Sequence, residues 1–439
     1  MYVESLRIRN LRSIEAAELA LRVPIEATDG GRLPNVTLLL GDNGSGKTTV
    51  LRAIALAALA PVIASGSGYV PFSLVRRVRG AAAPEATVDA RLVLHPQDGQ
   101  PQRVPSRARL LPTRGFVDRF APGDTPPWAE AMWDERSPAF LLVGYGSTRR
   151  AESQSPHLES VRQKSRILRY DRVAGLFEDA ATLVPLSGWL PRFRGENPGR
   201  HKQVVQLLNE LLAPHAELLA EPIDGEYLFR VGGSDLPFAA LSDGYRGYIS
   251  WITDLLYHIC MGAPSGHRLD ENRGVVLVDE VDLHLHPEWQ REVIPTLART
   301  LPRLQFVFTS HSPLVAGTVW RENVVILDAR EADGVRATDL VPSREEVYGL
   351  SADQILTSGH FGLRSPRNEA MLGTLTSSAR AAQSGDPGAA LRFMRLMTLG
   401  GAALEETTAT SGPKPTRAKA QKGTKAVAKR PSTKKKAPR

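Results

Sequence analysis

An apolar run that empties into a glycine-rich loop and then a helix leaves few folds open to this 439-residue chain. Val36-Thr37-Leu38-Leu39-Leu40 is continuous rather than alternating, as in a strand buried on both faces of a sheet. It runs into Gly41-Asp42-Asn43-Gly44-Ser45-Gly46-Lys47-Thr48-Thr49, which satisfies the pattern G-x-x-x-x-G-K-S/T. An alanine- and leucine-rich helix is predicted from there to about Leu59. The glycines let backbone N–H groups wrap phosphate oxygens, and the helix N-terminus adds a favourable dipole. Lys47 would neutralise phosphate charge, and the Thr48 hydroxyl is placed to ligate Mg²⁺. A chance glycine turn would lack one of the flanking elements; here both are expected.

Gly274-Val275-Val276-Leu277-Val278 is a second buried strand, and it ends in Asp279-Glu280. A carboxylate at a strand's C-terminal edge can hold a divalent cation, which suits Asp279, and the next acid, Glu280, can orient and deprotonate an attacking water. Apolar strands ending in two acids are common, so this signal gains its weight from the loop at Gly41. Leu241-Ser242-Asp243-Gly244-Tyr245-Arg246 opens an amphipathic helix carrying Ile249, Ile252, Leu256 and Ile259 on one face. Taken alone that turn is a helix N-cap; its N–H groups and the Ser242 hydroxyl can also receive a phosphate. A third buried strand, Phe306 to Phe308, leads to His311, where a lone histidine is ordinarily structural.

The order of phosphate loop, L-S-x-G turn, Asp-Glu strand and histidine resembles the ABC-type ATPases. Asn43 and the opening strand Leu6-Arg7-Ile8-Arg9-Asn10-Leu11-Arg12 resemble the RecF, SMC and OLD branch, and point away from transporter subunits. More narrowly, Asp279-Glu280-Val281-Asp282-Leu283-His284-Leu285-His286-Pro287 is similar to the ATPases of bacterial anti-phage systems, such as those of Septu and some retrons. Tyr145-Gly146-Ser147-Thr148-Arg149 and the Leu241 turn look like motifs of the same group, and the similarity spans roughly residues 1–400.

The resemblance implies an α/β fold: an ABC-type P-loop core with a mixed sheet, an antiparallel β subdomain and a helical lobe. ATP and Mg²⁺ would bind at Gly41, Asn43, Gly44, Ser45, Gly46, Lys47, Thr48 and Thr49, with Thr48 and Asp279 on the metal. Lys47, Glu280 and His311 would be catalytic, His311 lying beside the γ-phosphate. In a head-to-tail homodimer, or a higher oligomer, Ser242, Asp243 and Gly244 would complete the partner's site. The expected divisions are 1–160 for the loop half and β subdomain, 161–240 for the helical lobe, and 241–345 for the signature, acid strand and His311. A helical appendage at 346–406 and a disordered basic tail at 407–439 complete them. The lobe-linking glutamine of ABC ATPases has no clear counterpart beyond Gln154, and no long coiled-coil insertion is evident. His284, His286 and Asp282 invite a metal reading. They fall where the family's D-loop crosses the dimer interface, and dimer contact is the reading taken.

Charge needs locating before it means anything. Eleven of the 55 basic residues lie between Pro413 and Arg439, with no acid among them. The rest carries 44 basic against 47 acidic residues, so the body is near neutral and the high pI belongs to the tail. That tail suits sequence-blind nucleic-acid binding, having no aromatic for base stacking, and suits a solubilising extension equally. A single cysteine, Cys260, excludes a disulfide framework and cysteine-based metal sites. The opening residues lack the apolar run of a secretory signal, and the stretch Ala53 to Ala64 is short of the ~20 residues that span a bilayer, so a cytoplasmic protein without membrane contact is expected.

No Toprim nuclease is expected after the strand of Val324 to Leu327, and no HNH pattern is evident, so a partner is expected to do any cutting. The expectation is an ATPase that gates a separate effector, a nuclease or toxin, in a defence complex. A RecF-type repair ATPase acting on DNA and a nucleotide-gated scaffold are the alternatives.

Overall fold

The computed structural model describes residues 1–24, 32–78, 80, 82–95, 101–122, 126–133, 137, 140–151, 168–223, 225–263, 266–332 and 335–399. The chain divides into two compact units, Met1–Pro366 and Arg367–Arg439. Gln154 and the whole basic tail lie outside the described residues.

In chain order the strands are β1 (Tyr2–Leu11), β2 (Ile14–Ala20), β3 (Val36–Gly41), β4 (Ala86–Leu94), β5 (Gln102–Pro112), β6 (Asp118–Phe120), β7 (Leu142–Tyr145), β8 (Arg150–Ala151) and β9 (Thr182–Leu183). They continue as β10 (Glu217–Leu218), β11 (Leu228–Val231), β12 (Ser234–Pro237), β13 (Gly274–Val278), β14 (Leu304–Thr309), β15 (Val324–Ala332) and β16 (Val335–Pro342). Numbering only helices longer than ten residues, α1 is Lys47–Gly66, α2 Leu186–Glu196, α3 Pro198–Leu212, α4 Asp243–Gly262, α5 Pro287–Thr300, α6 Glu369–Gln383 and α7 Pro387–Leu399.

The central sheet runs β16-β15-β3-β14-β13-β7, parallel throughout except for the antiparallel edge strand β16. Its faces bury alternate residues of the same apolar runs. Leu38, Leu40, Val276, Val278, Phe306 and Phe308 meet α3, α4 and α5 on one side. Leu39, Val275, Leu277, Val307 and Leu327 meet α1 on the other. Strands covered twice need no polar alternation, which is why they read as unbroken runs.

Beyond α1 lies an antiparallel sheet of order β2-β1-β4-β5-β6, so α1 is sandwiched between two sheets. Here the period-2 rule holds: Leu6 and Ile8 are buried while Arg7 and Arg9 are exposed. Among the described residues α1 alone is long and apolar enough to cross a membrane by length and composition (window Lys47–Ala64); 72% of that window is buried inside the protein.

Four expectations are corrected in detail. First, α1 runs to Gly66 rather than stopping near Leu59. It kinks at Leu59 (φ −117°, ψ 19°), just before Pro61. Burial of Val62 and Ile63 outweighs the hydrogen bond lost at the proline. Second, the helix as a whole, unlike the stretch Ala53 to Ala64 alone, reaches the length and apolar composition of a membrane span, with most of it buried inside the protein. Third, the segment 161–240 holds α2 and α3 but turns to strand at Glu217, forming the sheet β10-β11-β12 around a Gly232-Gly233 turn with φ of +56° and +83°. Buried Tyr227 and Phe229 supply a period of two that the helical reading overlooks. Fourth, the main unit continues past residue 346, because Val347 and Ile355 are buried in the same core as Phe306 and Val315. The second unit is described only as an antiparallel pair of helices, α6 and α7, closed by Leu375 and Leu396.

Candidate active site

The loop between β3 and α1 depends on its glycines. Gly44 and Gly46 sit at φ +73° and +103°, where L side chains are strained. A Cβ on Gly46 would stand 2.7 Å from Ser13 Oγ, and one on Gly41 2.7 Å from the Leu327 carbonyl. The Lys47 Nζ donates to the carbonyls of Gly41 (2.8 Å) and Asp42 (3.1 Å), which holds its charge over the loop. Burial pushes the Lys47 pKa down, opposed by Asp279, Glu280, Asp42 and Asp282.

β14 lies between β3 and β13, and its end ties the loop to the acids. Thr48 Oγ1 donates to Asp279 Oδ2 at 2.7 Å, and Thr309 Oγ1 donates to Asp279 Oδ1 at 2.6 Å. The same Thr309 hydroxyl accepts from the Glu280 backbone N–H at 2.7 Å, and Val281 N donates to the Thr309 carbonyl at 2.9 Å. Glu280 is held at φ +48°, an uncommon setting for a side-chain-bearing residue. That backbone turn sends the chain out of the sheet directly after Asp279.

A cleft of about 710 Å³ results. It is lined by Asn43, Gly44, Gly46, Lys47, Thr48, Thr49, Asp279, Glu280 and His311, together with Arg12 and Ser13. Burial first, then the neighbouring Lys47 charge, pushes the His311 pKa below its ordinary value, so the imidazole is neutral at pH 7. The Thr48 hydroxyl and Asp279 carboxylate converge as hard oxygen donors, the type Mg²⁺ takes, so the residues present fit that ion.

Two of the expected loop residues do not line the cleft. Gly41 belongs to β3, and Ser45 is fully buried beneath the loop. Ser242, Asp243 and Gly244 open α4 and also lie outside the cleft. Gly244 instead faces the His284 carbonyl, 3.0 Å from where a Cβ would stand. Among the described residues no group of three or more His, Cys, Asp or Glu is placed to hold a metal.

The parts played by four residues escape a reading of the sequence. Arg12 and Ser13 reach the cleft from the tight β1–β2 turn, about 30 residues before the loop. Thr309 stands two residues before the more conspicuous His311. Arg149 donates from one guanidinium nitrogen to the Asp279 carbonyl (3.3 Å) and the Glu280 carbonyl (2.5 Å). Its motif stands out in the sequence, but a contact with a carbonyl 131 residues away leaves no local pattern.

These features define a P-loop nucleotide site built on a mixed α/β sheet. Residues 36–317 match the family described as "AAA domain, putative AbiEii toxin, Type IV TA system", and residues 5–64 match a further AAA domain family. The first match covers well over half of the chain, and the chain belongs to that AAA-domain family. It is similar to Septu protein PtuA of Bacillus mycoides (strain KBAB4), 25% identical over 376 residues, 82% of this chain and 45% of that protein. It is similar to the Retron Vc95 probable ATPase of Vibrio cholerae serotype O1 biovar El Tor, 38% identical over 96 residues, 22% of this chain and 19% of that protein. The chain thus spans less than half the length of the curated relatives it matches. Among solved structures, the SMC head domain from Thermotoga maritima aligns at 16% identity and a TM-score of 0.41, covering 79% of this chain and all of that one.

Proposed function

We propose that the protein binds ATP with Mg²⁺ in the cleft, hydrolyses it, and pairs head to tail with a second copy around the nucleotide. The observation that carries this reading is the hydrogen-bonded series Thr48–Asp279–Thr309–Glu280, which links the phosphate loop to the acids. Mg²⁺ on Thr48 and Asp279 supplies charge neutralisation for the phosphates when bound. Lys47 and the loop N–H groups hold the phosphates in place. Glu280 orients a water and takes its proton, and His311 offers a hydrogen bond near the γ-phosphate.

Ser242, Asp243 and Gly244 lie outside their own chain's cleft, which supports their action on a second copy. The toxin–antitoxin wording of the family and the names of the Septu and retron relatives support a defence role. In that role the ATPase gates a separate effector, a nuclease or toxin.

The test is direct. Glu280→Gln should keep ATP binding and accumulate a nucleotide-dependent dimer on size exclusion, while Lys47→Ala should weaken binding. Full turnover by Glu280→Gln, or no association of any variant with ATP, refutes the reading. Co-purification with a neighbouring effector tests the gating.

A further inference from the structure

Glu280 is the residue on which the proposed hydrolysis turns, and its backbone is pinned from two sides. Thr309 accepts its N–H. On the opposite side the Arg149 guanidinium takes the carbonyls of Asp279 and Glu280 at 3.3 and 2.5 Å. The same guanidinium lies over the Trp251 ring, 5.7 Å from its centroid. Trp251 is buried in α4, the helix that opens with Ser242–Gly244. One cation therefore touches the loop carrying the general base and the helix carrying the signature turn.

Arg149 is itself anchored, because β7 ends four residues earlier at Tyr145, whose hydroxyl donates to Asp254 of α4 at 2.7 Å. Asp254 also accepts from the Val184 N–H at 2.8 Å. A left-handed backbone at Glu280 persists only if its surroundings over-determine it, and a guanidinium on two successive carbonyls does that.

We infer that Arg149 is a positioning residue: it fixes the backbone turn that aims Glu280 and couples that turn to α4. The inference rests on the hydrolysis reading, and the two fail differently. Arg149 does not line the cleft, so nucleotide affinity should not depend on it. A small misplacement of a catalytic group costs up to ~100-fold in rate, so Arg149→Ala should lower kcat by about 10- to 100-fold. The ATP dissociation constant should stay within about threefold of the wild type, since ground-state binding is untouched.

Added guanidinium should restore part of the lost kcat, and methylammonium should not. Arg149→Lys should lie between the two, having an ammonium but no planar fork. The full-length chain is assayed for ATP turnover, nucleotide affinity by titration, and thermal midpoint. Wild-type kcat in both variants overturns the inference and leaves the hydrolysis reading intact. So does a loss of affinity equal to the loss of rate, or a lowered thermal midpoint without guanidinium rescue. Should Arg149→Ala not fold, Arg149→Lys decides, and wild-type kcat there overturns the inference. No turnover by nucleotide-bound wild type refutes both.

Discussion

Replacing Thr309 by valine removes one hydroxyl and almost no volume. Thr309 is fully buried at the end of β14, and valine has the same branched shape and suits a strand. Two hydrogen bonds go: a donation to the Asp279 carboxylate and an acceptance from the Glu280 N–H. A bond to a charged group contributes about 1.5–3 kcal/mol and a neutral one about 0.5–1.5 kcal/mol. Asp279 keeps its bond from Thr48, which places the total toward the lower part of the summed range, about 2–3 kcal/mol. Urea unfolding followed by far-UV circular dichroism reads this directly.

The same change frees the amide of a residue held at φ +48°, so turnover should fall about tenfold or more. Thr309→Ser is the control: it keeps both bonds, loses one methyl, and should retain most of the rate. If Thr309→Val unfolds at the wild-type urea concentration and turns over ATP at the wild-type rate, the account of how β14 organises the acids is wrong.

Gly46→Ala places a Cβ 2.7 Å from Ser13 Oγ at φ +103°, a strain of about 1–3 kcal/mol, and should abolish nucleotide binding in a titration; wild-type affinity would contradict it. Tyr145→Phe deletes the donor to Asp254, both groups buried, and should cost about 1.5–3 kcal/mol in urea unfolding. The Tyr145 pKa is pushed well up by burial and then by Asp254, so the phenol is a donor at any physiological pH.

Burial also lowers the pKa values of His95 (to about 4), His201, His311 and His360. The unfolded chain binds protons near pH 6.5 that the folded chain refuses, so stability is full above that value and falls as the pH drops below it. The urea midpoint should therefore be lower at pH 5 than at pH 7, and an unchanged midpoint would refute the assignment.

What could be read from the sequence follows from how each element is buried. The runs Val36–Leu40, Val275–Val278 and Phe306–Phe308 announce themselves because both faces of their sheet are covered. The phosphate loop is legible because its chemistry needs a fixed spacing of glycines, lysine and threonine. β10 and β12 are short and only Leu218 among their residues is fully buried, so packing left little signature in them. Arg12, Thr309 and Arg149 enter the site through contacts distant in sequence, with a backbone carbonyl as partner in the last case. No residue type is reserved for that job, and only the folded chain exposes it.

The placement of β14 between the two halves of the site also has a temporal side. Residues 41–48 leave the ribosome early, yet the strand that must lie beside β3 ends at Thr309. At ~5–20 residues per second this is roughly 15 to 50 s later. Throughout that interval the face of α1 that meets the central sheet, part of one of the most apolar segments of the chain, has nothing to rest against and is exposed to aggregation. A chain released before Thr309 would hold a complete phosphate-loop sequence and no pocket, so a truncated product should behave as a chaperone client rather than a weakened enzyme.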